Sequence, residues 1–398
     1  MVEHIRRSRV ELLAPCHDWP TLVAAVLNGA NAVYFGVLKY NMRMAAKNFQ
    51  AKDLPEIVNY CHSKKVKCYL TLNTIIYEDE LKSVENVVKA AKIAGIDALI
   101  VSDLSVIELA RKYNIPFHVS TQVNVSNSES ANFFARLGAK RVILARECTL
   151  KQIKSIVKNS KIGVELFVHG ALCISVSGRC FFSESIYGKS ANRGECLQPC
   201  RQKYTVIGED GVFYYEDGRF LNSRDLCMIE YVDKLLKLGV VSFKIEGRMR
   251  DADYVGTVVK CYHEAIDNFS KSGVSDWKRR LGSVFNRGFC TGFYFGSPKR
   301  GVELSKRGNV SRIKRVVVGC VLNYYPKNGV VYVNLNHAGL NVGDEVLIEG
   351  KTTSFRERIG SIYIEGVSSS SAKKGSKITF KVSSKARRND QVYVFKKI

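Results

Sequence analysis

The stretch Lys67-Cys-Tyr-Leu-Thr-Leu72, followed by Leu81-Lys-Ser-Val-Glu-Asn-Val-Val-Lys-Ala-Ala-Lys-Ile-Ala94, Gly95 and Ala98-Leu-Ile-Val-Ser102, decides the fold. It reads as a short apolar strand, a helix of clear 3.6-residue periodicity, a glycine that suits a helix C-terminus, and a second apolar strand. The same unit repeats along the first 250 residues. Strand-like runs fall at 11–14, 32–36, 67–72, 98–102, 117–120, 141–144, 163–168 and 242–245. Helical patterns fill the gaps, clearest at 54–64, 81–94, 104–112, 128–137 and 150–158. Alternating strands and helices imply a parallel sheet, and eight short apolar strands imply a closed (β/α)8, TIM-like barrel. An open doubly wound sheet is the alternative, but no Gly-rich dinucleotide turn follows the first strand.

The seventh and eighth strands are separated by about 70 residues, far more than an ordinary βα unit needs. Residues 171–241 are therefore expected to form an insertion on the C-terminal face of a barrel spanning 1–275. A helix is expected at 254–270 and an irregular connector at 276–309. From 310 to 398 the pattern changes to short alternating strands at 316–322, 329–335, 345–349, 358–365, 377–382 and 391–395, as in a small antiparallel β-barrel. The Ser run at 368–371 reads as a loop.

The 398 residues carry 61 Lys and Arg against 37 Asp and Glu, a net charge of +24, with 46% hydrophobic residues. A chain of that size and hydrophobicity can bury a large core, which excludes a disordered scaffold. No apolar run reaches the ~20 residues of a membrane helix, and the N-terminus shows no signal stretch. The expectation is a cytoplasmic protein without a membrane partner. The positive excess favours a polyanion, RNA or DNA first. Residues 299–398 hold twenty Lys and Arg against seven Asp and Glu, so about half of the excess sits in the last quarter.

Twelve cysteines without a secretion signal read as thiols or metal ligands. Seven are scattered; Cys173, Cys180, Cys196, Cys200 and Cys227 crowd into the insertion. The spacing Cys173-x6-Cys180-x15-Cys196-x3-Cys200 offers four thiolates, a set that suits an iron–sulfur cluster or a structural zinc. Zinc favours a short Cys-x2–4-Cys knuckle at both ends, and only the second pair has one, so a 4Fe–4S cluster is the favoured reading. Free thiols are the alternative, and Cys227 competes as fourth ligand. The usual hydrolase signatures (His-Glu-x-x-His, Gly-x-Ser-x-Gly) are absent, and Gly188-Lys189-Ser190 lacks the first glycine of a phosphate loop.

Polar residues at the C-terminal ends of barrel strands line active sites in this fold. Here they are Asn73, Asp103, Gln122, Arg146, Glu147, His169, Glu246 and Arg248, with Arg43 in the loop after the second strand. Arg43, Arg146 and Arg248 suit the carboxylates of a small anionic cosubstrate. Asn73, Asp103, Gln122 and Glu147 complete the expected substrate-binding set. His169, near neutrality and four residues before Cys173, is the expected proton-moving group, and Glu246 a second catalytic candidate. Glu165, four residues earlier on the same strand, should face the same side and orient the imidazole or close a salt bridge inside the barrel.

The run Glu165-Leu-Phe-Val-His169-Gly-Ala-Leu-Cys173-Ile-Ser-Val-Ser-Gly178-Arg-Cys180-Phe-Phe-Ser183 resembles the signature of the collagenase-like peptidase family. So do Asn41-Met-Arg43, Ser120-Thr-Gln122-Val-Asn124, Asn192-Arg-Gly-Glu-Cys196-Leu-Gln-Pro-Cys200-Arg201, Ser223-Arg-Asp225-Leu-Cys227, Lys244-Ile-Glu246-Gly-Arg248 and Phe285-Asn-Arg-Gly288-Phe-Cys290-Thr-Gly292, the last with Cys290 in place of an expected Thr. The likeness is nearest to the family's tRNA-hydroxylating branch. It implies 5-hydroxylation of the wobble uridine of tRNA without molecular oxygen, with prephenate as cosubstrate, a 4Fe–4S cluster and an electron donor. It also implies that Cys173, Cys180, Cys196 and Cys200 hold the cluster, although some branches replace one ligand. Sister branches act on a 23S rRNA cytidine or on ubiquinone precursors, and the family name implies a peptidase. A non-catalytic RNA-binding factor is the remaining alternative. Chemistry on a ring carbon requires an extruded base at the barrel mouth, with the basic terminal domain holding phosphates.

Overall fold

The computed structural model describes residues 10–209, 211–213, 219–297 and 308–397. The N-terminal residues 1–9 and residues 298–307 of the expected connector lie outside them. Eight strands, β1 (Glu11–Pro15), β2 (Ala32–Phe35), β3 (Lys67–Leu72), β4 (Ala98–Val101), β5 (Phe117–Val119), β6 (Arg141–Ile143), β7 (Gly163–Ala171) and β8 (Ser242–Ile245), pair in parallel in chain order. β8 pairs with both β1 and β7 and closes the ring. Helices including Trp19–Leu27, Leu54–Ser63, Leu81–Ala94, Leu104–Lys112, Ser128–Arg136, Leu150–Asn159 and Ala252–Asp267 occur between and after the strands. The first starts at Asp18, whose side chain accepts from the Thr21 amide while Thr21 returns a bond to the Asp18 backbone, a reciprocal cap. This is the TIM-like barrel that the alternation dictates.

One irregularity matters for the site. Lys244 pairs with Phe167 but Ile245 pairs with His169, so β7 carries one extra residue, Val168. A bulge of this kind reverses which face the following side chains take. Glu165 and Phe167 point into the barrel, where Lys244 meets both. His169 points outward, against Tyr254 and Tyr262 of the helix Ala252–Asp267.

The insertion ends earlier than expected. Its strand Asp225–Cys227 runs antiparallel to β7, and the helix Val232–Leu236 already buries Val232 and Leu235 in the barrel core. The boundary at residue 275 falls inside the helix Gly273–Ser283, whose Trp277 and Leu281 also join that core. Phe289–Cys290 adds a further strand beside Asp225–Cys227, so the first half of the expected irregular connector is ordered barrel structure.

The C-terminal region forms an eight-stranded antiparallel sheet around its own core, which includes Val318, Val331, Val346, Ile378, Phe380 and Val392. Thr353–Arg358, not expected as a strand, forms a hairpin with Glu345–Gly350. Two short strands, Val367–Ser369 and Ser371–Ala372, occupy the expected Ser loop. The sheet docks on the barrel through Arg356, whose Nε and Nη2 donate to Asp253 Oδ1 at 2.9 and 2.6 Å. Among the described residues no helix is long and apolar enough to cross a membrane.

Candidate functional site

The C-terminal ends of the strands bring a polar group together over the lumen. Glu246 follows β8 directly and accepts from Arg43 Nε at 3.2 Å and Nη2 at 2.8 Å, with Arg146 Nη2 4.0 Å from its other oxygen. Burial alone would push the Glu246 carboxyl up, but Arg43 and Arg146 outweigh it and hold the group below the usual carboxylate range. Glu246 in turn raises the Arg43 guanidinium above its ordinary value. Asn73 follows β3 and donates to Ser120 Oγ at 3.0 Å and Gln122 Oε1 at 3.1 Å, fixing the turn after β5. Arg146 donates to the Ala171 carbonyl at 2.6 Å and lies 4.0 Å above the Phe167 ring, while its Nε has no hydrogen-bond partner among the described residues.

Arg248 is buried and makes no ion pair among the described residues. It donates to Thr71 Oγ1 at 3.1 Å, to Asn41 Oδ1 at 2.9 Å and to Asn48 Oδ1. Burial lowers its guanidinium to about 10. Both asparagines belong to the loop that carries Arg43, so Arg248 anchors that loop from beneath. The insertion holds it from above. Gly194, at φ +86°, sits so close to Asn41 that a Cβ would fall 2.1 Å from the Asn41 carbonyl oxygen, which only glycine avoids. Ala45 donates to the Gly194 carbonyl at 3.3 Å. Arg193 pairs with Glu80, and Arg201 donates to Ser223 and to the Leu172 carbonyl, tying the rest of the insertion to the barrel.

Two compartments lie at the mouth. The inner one, about 50 Å³, reaches Tyr34, Asn73, Lys244, Glu246 and Arg248. The outer one, about 100 Å³, is lined by Cys173, Cys180, Cys196 and Cys200 together with Glu147. Met42, Arg43, Thr121, Gln122 and Arg146 border both, so the compartments share a wall. Backbone amides point at two of the sulfurs: Phe182 donates to Cys180 Sγ and Gln198 to Cys196 Sγ, each at 3.4 Å. Burial pushes the Cys200 thiol up to about 11 and raises Cys196, so ionisation there needs a strong local cation. Four thiols around one cavity, two of them receiving amide hydrogens, have the donor chemistry of a thiolate-held metal group.

Other expected site residues lie elsewhere. Asp103 caps the helix Leu104–Lys112, accepting from the Ser105 amide at 2.9 Å and from Ile76 N at 3.0 Å, and it lines neither compartment. Glu165 does not reach His169; it pairs with Arg141 at 2.8 Å and Lys244 at 3.2 Å inside the barrel, the salt-bridge arrangement weighed against the orienting role. His169 is enclosed by Tyr254, Tyr262 and Phe289, and desolvation lowers it to about 3, so it stays neutral. Cys227 pairs with His169 and is buried 4.0 Å from Tyr262 Oη, apart from the four thiols of the outer compartment. Lys244, Tyr34 and Met42 are site residues that sequence reasoning missed. Lys244 carried a signal, since it precedes Glu246 by two residues on one strand face.

A consequence for His169 is direct. His169→Gln is expected to lower thermal stability while leaving turnover within about twofold, because the group neither lines the mouth nor titrates between pH 5 and 8. Turnover against pH for both proteins checks this; loss of an inflection near neutrality in the variant would return His169 to the mechanism.

Fold and site define a TIM-like barrel with a thiol-lined compartment beside a charged lumen. Residues 17–303 match peptidase family U32, and the chain belongs to that family. An uncharacterized protease of Methanocaldococcus jannaschii is 43% identical over 97% of this chain and 98% of its own length. A protein of Porphyromonas gingivalis named collagenase is 36% identical, covering 97% and 98% of the two chains. The tRNA hydroxylation protein P1 of Bacillus subtilis is 34% identical over 89% of this chain and 87% of its own.

Proposed function

We propose that this protein hydroxylates a base in RNA, with the wobble uridine of tRNA as target and prephenate as cosubstrate. The observation that carries the reading is the shared wall: the thiol compartment and the charged lumen meet at Arg43, Gln122 and Arg146. The name of the Bacillus subtilis relative supports RNA as the substrate class. An extruded base enters at the mouth, where the Asn73–Ser120–Gln122 network offers amide groups to its edge. Arg146, whose Nε has no hydrogen-bond partner among the described residues and whose guanidinium is braced on Phe167, grips a carboxylate of the cosubstrate. Arg43 stays paired to Glu246 and holds that carboxylate ionised toward the lumen.

Cys173, Cys180, Cys196 and Cys200 would hold a 4Fe–4S cluster, which supplies one-electron chemistry next to the base and draws on an external electron donor. A single zinc would need all four sulfurs ~2.3 Å from one point. The four sulfurs line one cavity of about 100 Å³, and metal and sulfide counts on protein purified without oxygen distinguish a cluster from zinc.

The test is deletion of the gene and complementation, with mass spectrometry of wobble uridine. Loss of 5-hydroxyuridine on deletion and its return with the wild-type chain is expected. The name of the Porphyromonas gingivalis relative favours a second reading, proteolysis. Gelatin cleavage by the purified protein, with tRNA modification unchanged on deletion, would replace the first reading with the second. A 5-hydroxycytidine deficit in 23S rRNA would keep the chemistry and change the target.

A further inference from the structure

Between the barrel and the C-terminal sheet lies a cleft of about 760 Å³, much larger than either compartment at the mouth. The Arg356–Asp253 pair borders it. One wall presents Lys260 and Arg279 from barrel helices, and the other presents Lys385 from the sheet domain. Thr257, Ser383 and Ser384 add hydroxyls between them. The lining holds two carboxylates, Asp253 and Glu345, and Arg356 pairs with both. Lys260 and Lys385 are exposed and have no ion pair among the described residues, and the Arg279 side chain, 74% exposed, pairs with a surface neighbour, Asp276.

Cations in excess over two carboxylates that share Arg356, together with hydroxyl donors, match a ligand that is negative, repeating and rich in acceptors. A phosphodiester backbone has those properties. We propose that this cleft binds RNA backbone outside the nucleotide that reacts, with Lys260, Arg279 and Lys385 each contacting a phosphate. The inference rests on the RNA reading above and extends it to a second, distinct surface. It also gives the docking of the basic sheet domain on the barrel a purpose, because neither domain forms the cleft alone.

The experiment is fluorescence anisotropy of the full chain with an unmodified tRNA transcript across a potassium chloride series. The combined substitution Lys260→Gln, Arg279→Gln and Lys385→Gln should reduce the magnitude of the log K against log salt slope by about 2, at about 0.7 per lost phosphate contact. Exposed Lys and Arg tolerate Gln, and an unchanged melting temperature confirms the fold. A control with the same loss of charge elsewhere around the barrel, Lys82→Gln, Lys140→Gln and Lys154→Gln, should leave the slope within 0.5 of wild type. Equal slopes for wild type and the cleft variant overturn the proposal. So does an equal drop in both variants, which assigns binding to net charge. If the wild-type chain fails to bind the transcript at low salt, the RNA reading itself falls, and the cleft proposal with it.

Discussion

Cys196→Ala, purified without oxygen, is expected to emerge colourless, with iron and acid-labile sulfide near zero and no hydroxylation in vivo. Cys196 lines the outer compartment with Cys173, Cys180 and Cys200, and its sulfur receives the Gln198 amide. Removing one thiolate opens the set to solvent and leaves an iron without its protein ligand. Cys61→Ala is the first control: Cys61 is buried in the helix Leu54–Ser63, and its loss should cost about 1 kcal/mol while the colour stays. Cys227→Ala is the sharper control, because Cys227 competes as a ligand by sequence but is walled off beside Tyr262. Visible absorption with metal and sulfide counts reads all three. Retained absorption in Cys196→Ala, or bleaching of Cys227→Ala, would overturn the ligand assignment. A colourless wild-type protein loaded with zinc would overturn the redox chemistry.

That contrast between Cys196 and Cys227 shows what the sequence could and could not convey. Residue type and clustering were enough to find the thiols, since four such groups close in sequence offer a ready ligand set. That Cys227 lies apart from the other four depends on the pairing of Asp225–Cys227 with β7, a long-range fact with no local signature. The barrel strands were legible for the opposite reason. Each is short, apolar and bounded by its helix, so local periodicity alone locates it. Thr353–Arg358 was not, because Arg356 and Arg358 leave little apolar alternation; the strand spends Arg356 on the domain contact with Asp253 instead.

His169 and Asp103 lie outside the two compartments for different reasons. The two-residue period correctly aims Glu165 inward, but Val168 is an extra residue, visible only against β8, and it turns His169 out. Asp103 did carry its own warning, since an Asp immediately before Leu104 and Ser105 is also a helix cap signal. The Ser105 amide of the cap takes one of its carboxylate oxygens and the Ile76 amide takes the other.

Glu165→Leu is expected to destabilise the barrel by about 3–5 kcal/mol, because it leaves buried cations without their partner. Glu165 is fully buried, 2.8 Å from Arg141 and 3.2 Å from Lys244, and Arg141 also pairs with Glu11 at 2.6 Å. Burial alone would push the Glu165 carboxyl up; Lys244 and Arg141 more than offset it and bring the group to about 2. Its folded value therefore lies below the ~4.3 of an unfolded glutamate, which makes its ionisation worth about 3 kcal/mol near neutrality. That contribution is complete above about pH 5 and disappears as pH falls toward 2. Glu165→Gln keeps an acceptor for Arg141 and loses only the charge, so it should fold even where the leucine variant does not. Urea midpoints for wild type and Glu165→Gln should differ most at pH 7, the gap should fall to about half by pH 3, and it should close only as pH approaches about 2, where protonation makes the wild type resemble its own variant. A gap of the same size at pH 7 and pH 3 would mean that Glu165 is not the ionised partner of Lys244 and Arg141. It would also remove the charge network as the reason this strand face points inward.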